Sequence, residues 1–115
     1  MPLIKMTVNV SVAADRQKEL LAAASKAITE ITRKPEQYVM VTLDTAEIMM
    51  GGNPGAAAFV EVRGIGGLTP EINRQLAKKF CGLLQRSLDI PPEQIYLNFT
   101  DVAAVNWGWN GATFG

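Results

Sequence analysis

The sequence predicts an α+β fold in which two βαβ units form a four-stranded mixed sheet with both helices on one face. One observation is a repeat: Pro35-Glu36-Gln37-Tyr38 and Pro92-Glu93-Gln94-Ile95 each follow a helix-like segment and precede an apolar, β-prone run. The other is that alternating and helical hydrophobic patterns succeed each other twice. We therefore predict one domain over 1–115, with an internal duplication over roughly 1–55 and 56–115.

The first unit begins with a strand and continues with a helix. Leu3–Val10 alternates between apolar and polar residues, which is the period of a half-buried strand. Apolar residues recur at helical spacing in Arg16–Arg33, after a predicted N-cap at Asp15, and Pro35 ends the helix. Tyr38–Leu43 is predicted as the second strand.

The second unit repeats this order. Ala56–Arg63 is predicted as a strand and the glycine-rich segment 64–67 as a loop. Thr69 and Pro70 form the N-cap and first-turn pair of a helix whose apolar residues are Ile72, Leu76, Phe80, Leu83, Leu84 and Leu88. Pro91-Pro92 ends this helix before the last strand.

The last predicted strand, Ile95–Phe99, completes a sheet that has one uncovered face. That face is expected to expose Thr7, Val41 or Thr42, Tyr96 and Asn98. This mixture is too apolar for an ordinary solvent-facing surface. Because a bare face and open sheet edges favour pairing with other chains, we predict self-association.

Composition excludes several classes of function. The chain has 115 residues, of which 48% are hydrophobic and 19% charged, and its formal net charge is zero. A nucleic-acid-binding protein needs clustered excess Lys and Arg, so none is expected. No apolar run approaches the roughly 20 residues that span a bilayer, and no segment resembles a signal peptide. The cytoplasm is the expected compartment.

Acid–base chemistry has few candidates in this chain. There is no histidine, and Cys81 is the only cysteine, so neither a zinc site nor an intrachain disulfide is expected. Cys81 is predicted to be a buried, inert thiol. An α-amino group also titrates near neutral pH. Removal of Met1 would leave Pro2 as a terminal secondary amine.

The last segment, 102–115, contains both tryptophans of the chain among small residues. A free tail is not expected to carry such large apolar side chains. We therefore expect this segment to dock, on its own or a neighbouring subunit, and to wall a pocket.

A set of motifs follows in order along the chain: the Met-Pro start, Lys34-Pro35-Glu36-Gln37-Tyr38, Gly64-Ile65-Gly66, Cys81-Gly82-Leu83-Leu84, Tyr96-Leu97-Asn98-Phe99, Asn106-Trp107-Gly108-Trp109-Asn110 and Thr113-Phe114. Taken together, these motifs resemble the macrophage migration inhibitory factor and D-dopachrome tautomerase family, and the former more closely. The resemblance covers the full length, with about one residue inserted before Lys34.

The resemblance implies a tautomerase-like two-layer sandwich that assembles as a homotrimer around a central channel, with active sites between subunits. It also implies a keto–enol tautomerase of phenylpyruvate-type α-keto acids, with dopachrome-like substrates as an option and no metal or cofactor. The terminal proline is the base in this family, and Pro2 occupies that position. Desolvation and a nearby cation are expected to lower the pKa of its amine.

Further site residues follow from the same resemblance. Lys34 matches the lysine that binds the substrate carboxylate, and Ile65 matches a residue whose backbone contributes to the site. The adjacent subunit supplies the residues that match Tyr96 and Asn98, which alternation places on one face of their strand. The apolar wall around the substrate ring corresponds to Tyr38, Trp109 and Phe114.

From the residues alone, other interpretations stay open. Lys34 also fits a solvated lysine near a helix C-terminus, and Ile65 a turn anchor. Tyr96 and Asn98 also fit an ordinary subunit interface, and the aromatic residues also fit plain packing. At the level of function, the alternatives are a cytokine-like or other protein-interaction module with a vestigial tautomerase site, secreted by a non-classical route, and a small-molecule-sensing βαβ domain.

The sequence departs from the family pattern at three places. Ala57 and Val60 stand where some members carry a Cys-x-x-Cys pair, so no thiol oxidoreductase activity is expected. Arg63 and Gly64 replace a His-Ser pair. Trp107 is bulkier than the usual small aliphatic residue, which is expected to narrow the pocket or shift substrate preference.

Overall fold

A computed structural model describes residues 1–115, with two α-helices, six strands and three 3-10 turns. In chain order the helices and strands are β1 (Leu3–Val8), α1 (Ala14–Thr32), β2 (Met40–Thr45), β3 (Ala58–Gly64), α2 (Pro70–Leu88), β4 (Ile95–Asp101), β5 (Gly108–Trp109) and β6 (Ala112–Thr113). The 3-10 turns are Glu36–Tyr38, Pro92–Gln94 and Ala104–Asn106. The first two turns coincide with the two copies of the repeated sequence.

The main sheet has the strand order β2-β1-β3-β4. Each βαβ unit contributes one parallel pair, β1 with β2 and β3 with β4, and the two units join through the antiparallel pair β1–β3. The predicted four-stranded mixed sheet is therefore confirmed. The short strands β5 and β6 form a separate antiparallel hairpin.

The core lies between one sheet face and the two helices. In β1, Ile4, Met6 and Val8 are fully buried, and the residues between them are not. The helices bury the predicted apolar positions Leu20, Ala24, Ala27 and Ile28 of α1 and Leu76, Phe80, Leu83 and Leu84 of α2. Burying each large apolar side chain contributes about 1.5–3 kcal/mol, so this layer holds the sheet against both helices.

The other sheet face is uncovered in the single chain, as predicted. Three rows of aligned side chains cross it: Met40, Leu3, Arg63 and Thr100; Thr42, Lys5, Glu61 and Asn98; and Asp44, Thr7, Phe59 and Tyr96. Val41 pairs with Ile4 and packs against the core, so Thr42, which is half-buried, is the residue that lies on the uncovered face. Tyr96 is 64% exposed and Phe59 is 39% exposed.

Two predicted helix starts have different outcomes. At α2 the prediction is confirmed: the Thr69 hydroxyl accepts a 3.2 Å hydrogen bond from the backbone nitrogen of Ile72. At α1 it is wrong, because Ala13 is the N-cap and makes no side-chain cap bond. Asp15 lies inside the first turn instead, where its carboxylate still suits the positive end of the helix dipole.

The second strand is confirmed, but its predicted start at Tyr38 is wrong. Tyr38 ends a 3-10 turn, and β2 begins at Met40. Both helices end before their prolines, because Arg33 and Asp89 adopt left-handed backbone conformations with φ of 63° and 56°. Gly64, which was expected in a loop, is the last residue of β3.

Neither helix combines the length and the apolar character that crossing a membrane requires.

Candidate active site

A cavity of about 440 Å³ opens beside the start of β1. Its volume lies within the range typical of small-molecule sites, and most of its lining is apolar. The lining residues are Met1, Pro2, Leu3, Tyr38, Met40, Arg63, Val102, Asn106, Trp107, Gly108, Trp109 and Phe114. They come from the N-terminus, the turn before β2, β3 and the C-terminal segment, which the sheet brings together.

Pro2 is buried and is held by its carbonyl group. The Pro2 carbonyl oxygen accepts a 3.1 Å hydrogen bond from the backbone nitrogen of Met40. Since proline has no N–H, its nitrogen takes no part in the ladder. While Met1 is attached, that nitrogen belongs to an amide and is not basic.

The environment of the chain terminus disfavours positive charge. Burial, and to a smaller extent the cation of Lys34, lower the pKa of the Met1 α-amino group. An ammonium in this place loses hydration and faces a like charge, so the neutral amine is favoured. These are the two causes that the sequence predicts for a terminal amine at Pro2.

Lys34 follows the C-cap of α1 and is bound by the loop after β3. Its Nζ donates hydrogen bonds of 2.9 Å to the Ile65 carbonyl and 2.6 Å to the Gly66 carbonyl. Burial lowers the pKa of Lys34, while the Asp101 carboxylate opposes that shift. The lysine is therefore a positioned cation rather than a freely solvated one.

The glycine loop owes its shape to two residues with positive φ, Gly66 at 71° and Gly67 at 81°. A Cβ on Gly67 would lie 3.1 Å from Cε of Lys34, so the lysine side chain would have to shift by a few tenths of an ångström to accommodate it. The Asp101 carboxylate accepts a 2.7 Å hydrogen bond from the Gly66 nitrogen. Asp101 thereby links the end of β4 to the loop that holds Lys34.

An aromatic cluster forms one side of the cavity. The Tyr38 and Trp109 rings meet edge to face, with centroids 5.7 Å apart and an interplanar angle of 82°. The Trp109 and Phe114 rings are stacked, with centroids 6.1 Å apart and planes 13° from parallel. Asn110 and Gly111, both with positive φ, turn the β5–β6 hairpin that presents these rings. The C-terminal segment thus walls a pocket, as predicted, and does so on its own chain.

The structure divides the predicted site residues into three groups. Pro2, Tyr38, Trp109 and Phe114 line the cavity. Lys34 and Ile65 are hydrogen-bonded to each other and lie outside the lining. Tyr96 and Asn98 lie on the uncovered face of the edge strand β4 and do not reach this chain's cavity.

Several lining residues are not among the predicted site residues. Of these, only Arg63 has a charged side chain. Its Nη2 donates a 3.1 Å hydrogen bond to Oε1 of Glu61. β3 pairs with β1 so that Arg63 lies opposite Leu3, next to Pro2. In the sequence, the only sign of Arg63 was that Arg63-Gly64 replaces a His-Ser pair of the family. The position of Arg63 beside the cavity depends on the register between β1 and β3.

The fold and this cavity define a small α+β protein with an aromatic-walled site beside its first strand. The family model described as "Macrophage migration inhibitory factor (MIF)" matches residues 1–115, and the chain belongs to this family. A macrophage migration inhibitory factor homolog of Trichinella spiralis is 33% identical over 115 residues, which are 99% of this chain and 100% of that protein.

Solved structures agree with this assignment. A macrophage migration inhibitory factor homologue from Prochlorococcus marinus is 38% identical, with a TM-score of 0.93 over 98% of this chain and 99% of that one. The fold is also that of Pt0534, a protein that was crystallised after inactivation by 2-oxo-3-pentynoate. That match has a TM-score of 0.87 at 20% identity and covers 96% of this chain and 94% of Pt0534.

Proposed function

We propose that the protein is a keto–enol tautomerase of phenylpyruvate-type α-keto acids, in which Pro2 is the general base once Met1 has been removed. One observation supports this most strongly. Pro2 is buried, the pKa of the adjoining Met1 α-amino group is lowered, and both residues line the same cavity as the aromatic wall. A base and a surface for an aryl ring are the two parts that this reaction needs.

In the proposed reaction the neutral Pro2 amine takes a proton from the carbon beside the substrate carbonyl. The electrons of that C–H bond form the enol double bond, and the carbonyl oxygen receives a proton from the Pro2 ammonium. The reverse direction uses the same groups. A base with a pKa near the working pH serves both directions, because it must gain and lose the proton in each turnover.

Negative charge on the substrate needs a fixed partner. In the proposal, Lys34 and the backbone at Ile65 receive the carboxylate next to the ketone. The two carbonyls that Lys34 contacts hold its side chain in place before substrate arrives. Such preorganisation favours the developing enolate, because the charge meets a partner that need not reorient.

The aryl ring of the substrate packs against Tyr38, Trp109 and Phe114. Tyr96 and Asn98 complete the site from a neighbouring copy in a proposed homotrimer. The uncovered sheet face that carries them, with Tyr96 64% exposed, supports this assembly. The description of Pt0534 adds support for the substrate class, because 2-oxo-3-pentynoate is itself a 2-oxo acid.

Loss of the enol absorbance of phenylpyruvate tests the proposal. Processed wild-type protein should accelerate the loss, and Pro2→Gly, whose terminal primary amine has a different basicity and geometry, should be slower by about a hundredfold. Equal rates for the two proteins would contradict Pro2 as the base. No acceleration by a processed wild-type trimer would contradict the activity itself.

Covalent labelling gives an independent test. The alkyne of 2-oxo-3-pentynoate is conjugated to its ketone, so a neutral amine can add to it. We expect one adduct per chain, on the Pro2 nitrogen, as located by peptide mass mapping. Chains that retain Met1 should gain no adduct at Pro2, since an amide nitrogen is not nucleophilic.

A further inference from the structure

Arg63 is the only residue with a charged side chain in the cavity lining. Most of its neighbours there are apolar or aromatic, and its side chain is 49% exposed. A guanidinium carries five N–H donors in a planar fork that suits a carboxylate. Only one of its nitrogens has a protein partner, Glu61 at 3.1 Å.

Glu61 does not fully compensate this charge. The register of β1 and β3 places Lys5 directly opposite Glu61, so two cations adjoin one carboxylate on the uncovered sheet face. The Arg63–Glu61 contact is a single hydrogen bond between partly exposed groups, and such pairs are weak. Arg63 therefore keeps both charge and donors for an anion in the cavity.

Arg63 and Lys34 approach the site from different sides of β3. A Cβ on Gly64, the buried residue after Arg63, would lie 3.4 Å from Nζ of Lys34. Since successive side chains of a strand point to opposite faces, Arg63 extends from the other face. In the proposed function, Lys34 binds the carboxylate next to the ketone. Arg63, on the opposite face of β3, then has no group of a phenylpyruvate-type substrate to bind.

We propose that Arg63 makes the site selective for 2-oxo acids that carry a second carboxylate. The inference rests on the proposed tautomerase function and on Lys34 as the partner of the first carboxylate. The second carboxylate, beyond the aryl ring or side chain of the substrate, accepts hydrogen bonds from the free donors of Arg63. Charge-assisted pairs of this kind are the strong class of hydrogen bond.

Two probes that differ by one carboxylate test this inference: phenylpyruvate and 4-carboxyphenylpyruvate. Processed wild-type protein should have the higher kcat/KM for the diacid. Arg63→Gln should lower kcat/KM for the diacid by about tenfold or more, mainly through KM, and change phenylpyruvate by less than about twofold. Arg63→Lys should recover part of the loss. Lys18→Gln removes an exposed cation of α1 that does not line the cavity, and should change neither.

The outcomes separate this inference from the proposed function. A wild-type enzyme that turns over phenylpyruvate but does not prefer the diacid overturns the inference alone. Equal losses on both probes in Arg63→Gln also overturn it, because Arg63 would then serve every substrate. If wild-type protein turns over neither probe, the proposed function fails. Calorimetric binding of the diacid to wild type and Arg63→Gln then still decides whether Arg63 selects a second carboxylate.

Discussion

The carbonyl oxygen of Pro2 accepts a hydrogen bond from the backbone nitrogen of Met40 at 3.1 Å. This bond fixes Pro2 against β2 through its carbonyl group, and the Pro2 nitrogen makes no hydrogen bond. Removal of Met1 therefore changes the chemistry of the nitrogen without releasing the residue from the sheet. Positioning and activation of the proposed base are separate properties of one residue.

Retention of Met1 should abolish the proposed activity. A preparation that keeps Met1 should turn over phenylpyruvate at least about a hundredfold more slowly than processed protein, because the amide nitrogen of Pro2 cannot accept a proton. Intact mass and enol absorbance measured on the same samples check this. Both forms should unfold at similar denaturant concentrations, so similar rates from the two forms would contradict the proposal.

Lys34 should contribute to the pH dependence of the reaction. Burial and this cation lower the pKa of the Met1 α-amino group, and we expect them to act on the Pro2 amine in the same way, so activity should rise with pH through a midpoint below the ordinary value of a terminal proline. Lys34→Met removes the like charge, which raises the pKa of the amine and moves the midpoint to higher pH. Lys34→Arg keeps the charge and should keep the midpoint. Profiles of kcat/KM against pH measure this, and identical midpoints in Lys34→Met and wild type would show that the cation does not act on the base.

Trp109 should affect substrate binding more than turnover. Trp109→Ala removes both ring contacts, to Tyr38 and to Phe114, and enlarges the cavity. We expect KM for phenylpyruvate to rise about tenfold, because an aromatic contact between Trp109 and the substrate ring would contribute about 0.5–1.5 kcal/mol to binding. Trp109→Phe, which keeps a ring, should lie between the two proteins. A wild-type KM in Trp109→Ala would exclude the aromatic wall from substrate binding.

A charge on the uncovered sheet face should prevent assembly. Phe59→Glu places a carboxylate beside Tyr96, where a second copy would have to bury it. Sedimentation should show wild-type trimers and Phe59→Glu monomers, with loss of phenylpyruvate turnover. Gln75→Glu adds the same charge on an exposed position of α2 and should leave the trimer intact. Trimeric Phe59→Glu would mean that another surface forms the interface.

The two helix starts should differ in stability. Thr69→Ala removes the hydroxyl that caps Ile72 and should lower the free energy of unfolding by about 1 kcal/mol. Asp15→Ala removes a first-turn carboxylate that is not the N-cap, and should cost less than about 0.5 kcal/mol. Denaturant unfolding of both variants measures the difference, and equal losses would contradict the assignment of Ala13 as the α1 cap.

The order of elements could be predicted because strand and helix periods are local properties of the chain. The exact ends of the helices and strands depend on capping and on 3-10 turns, which are finer effects. Asp15 is a good cap residue, but Ala13 is the N-cap of α1, and Tyr38 lies in a 3-10 turn that follows the first residue of the repeated Pro-Glu-Gln sequence. Neither effect changes the hydrophobic period from which the elements were predicted.

The site was less accessible to sequence reasoning, because its parts come from distant segments. The resemblance brought Pro2, Tyr38, Trp109 and Phe114 together, and all four line one cavity. The position of Arg63 beside it follows from the antiparallel register of β1 and β3, which no local pattern encodes. Tyr96 and Asn98 remain a prediction, since their proposed contribution requires a second copy.

Both tryptophans of the chain, Trp107 and Trp109, line the cavity, and the apolar core contains neither. All intrinsic indole fluorescence of the molecule therefore originates at the site. When unlabelled protein is titrated with a ligand, the change in tryptophan fluorescence therefore measures occupancy of the cavity. The same signal followed during denaturation would report release of the C-terminal hairpin, and far-ultraviolet dichroism would report the helices. A difference between the two midpoints would give the local stability of the cavity wall.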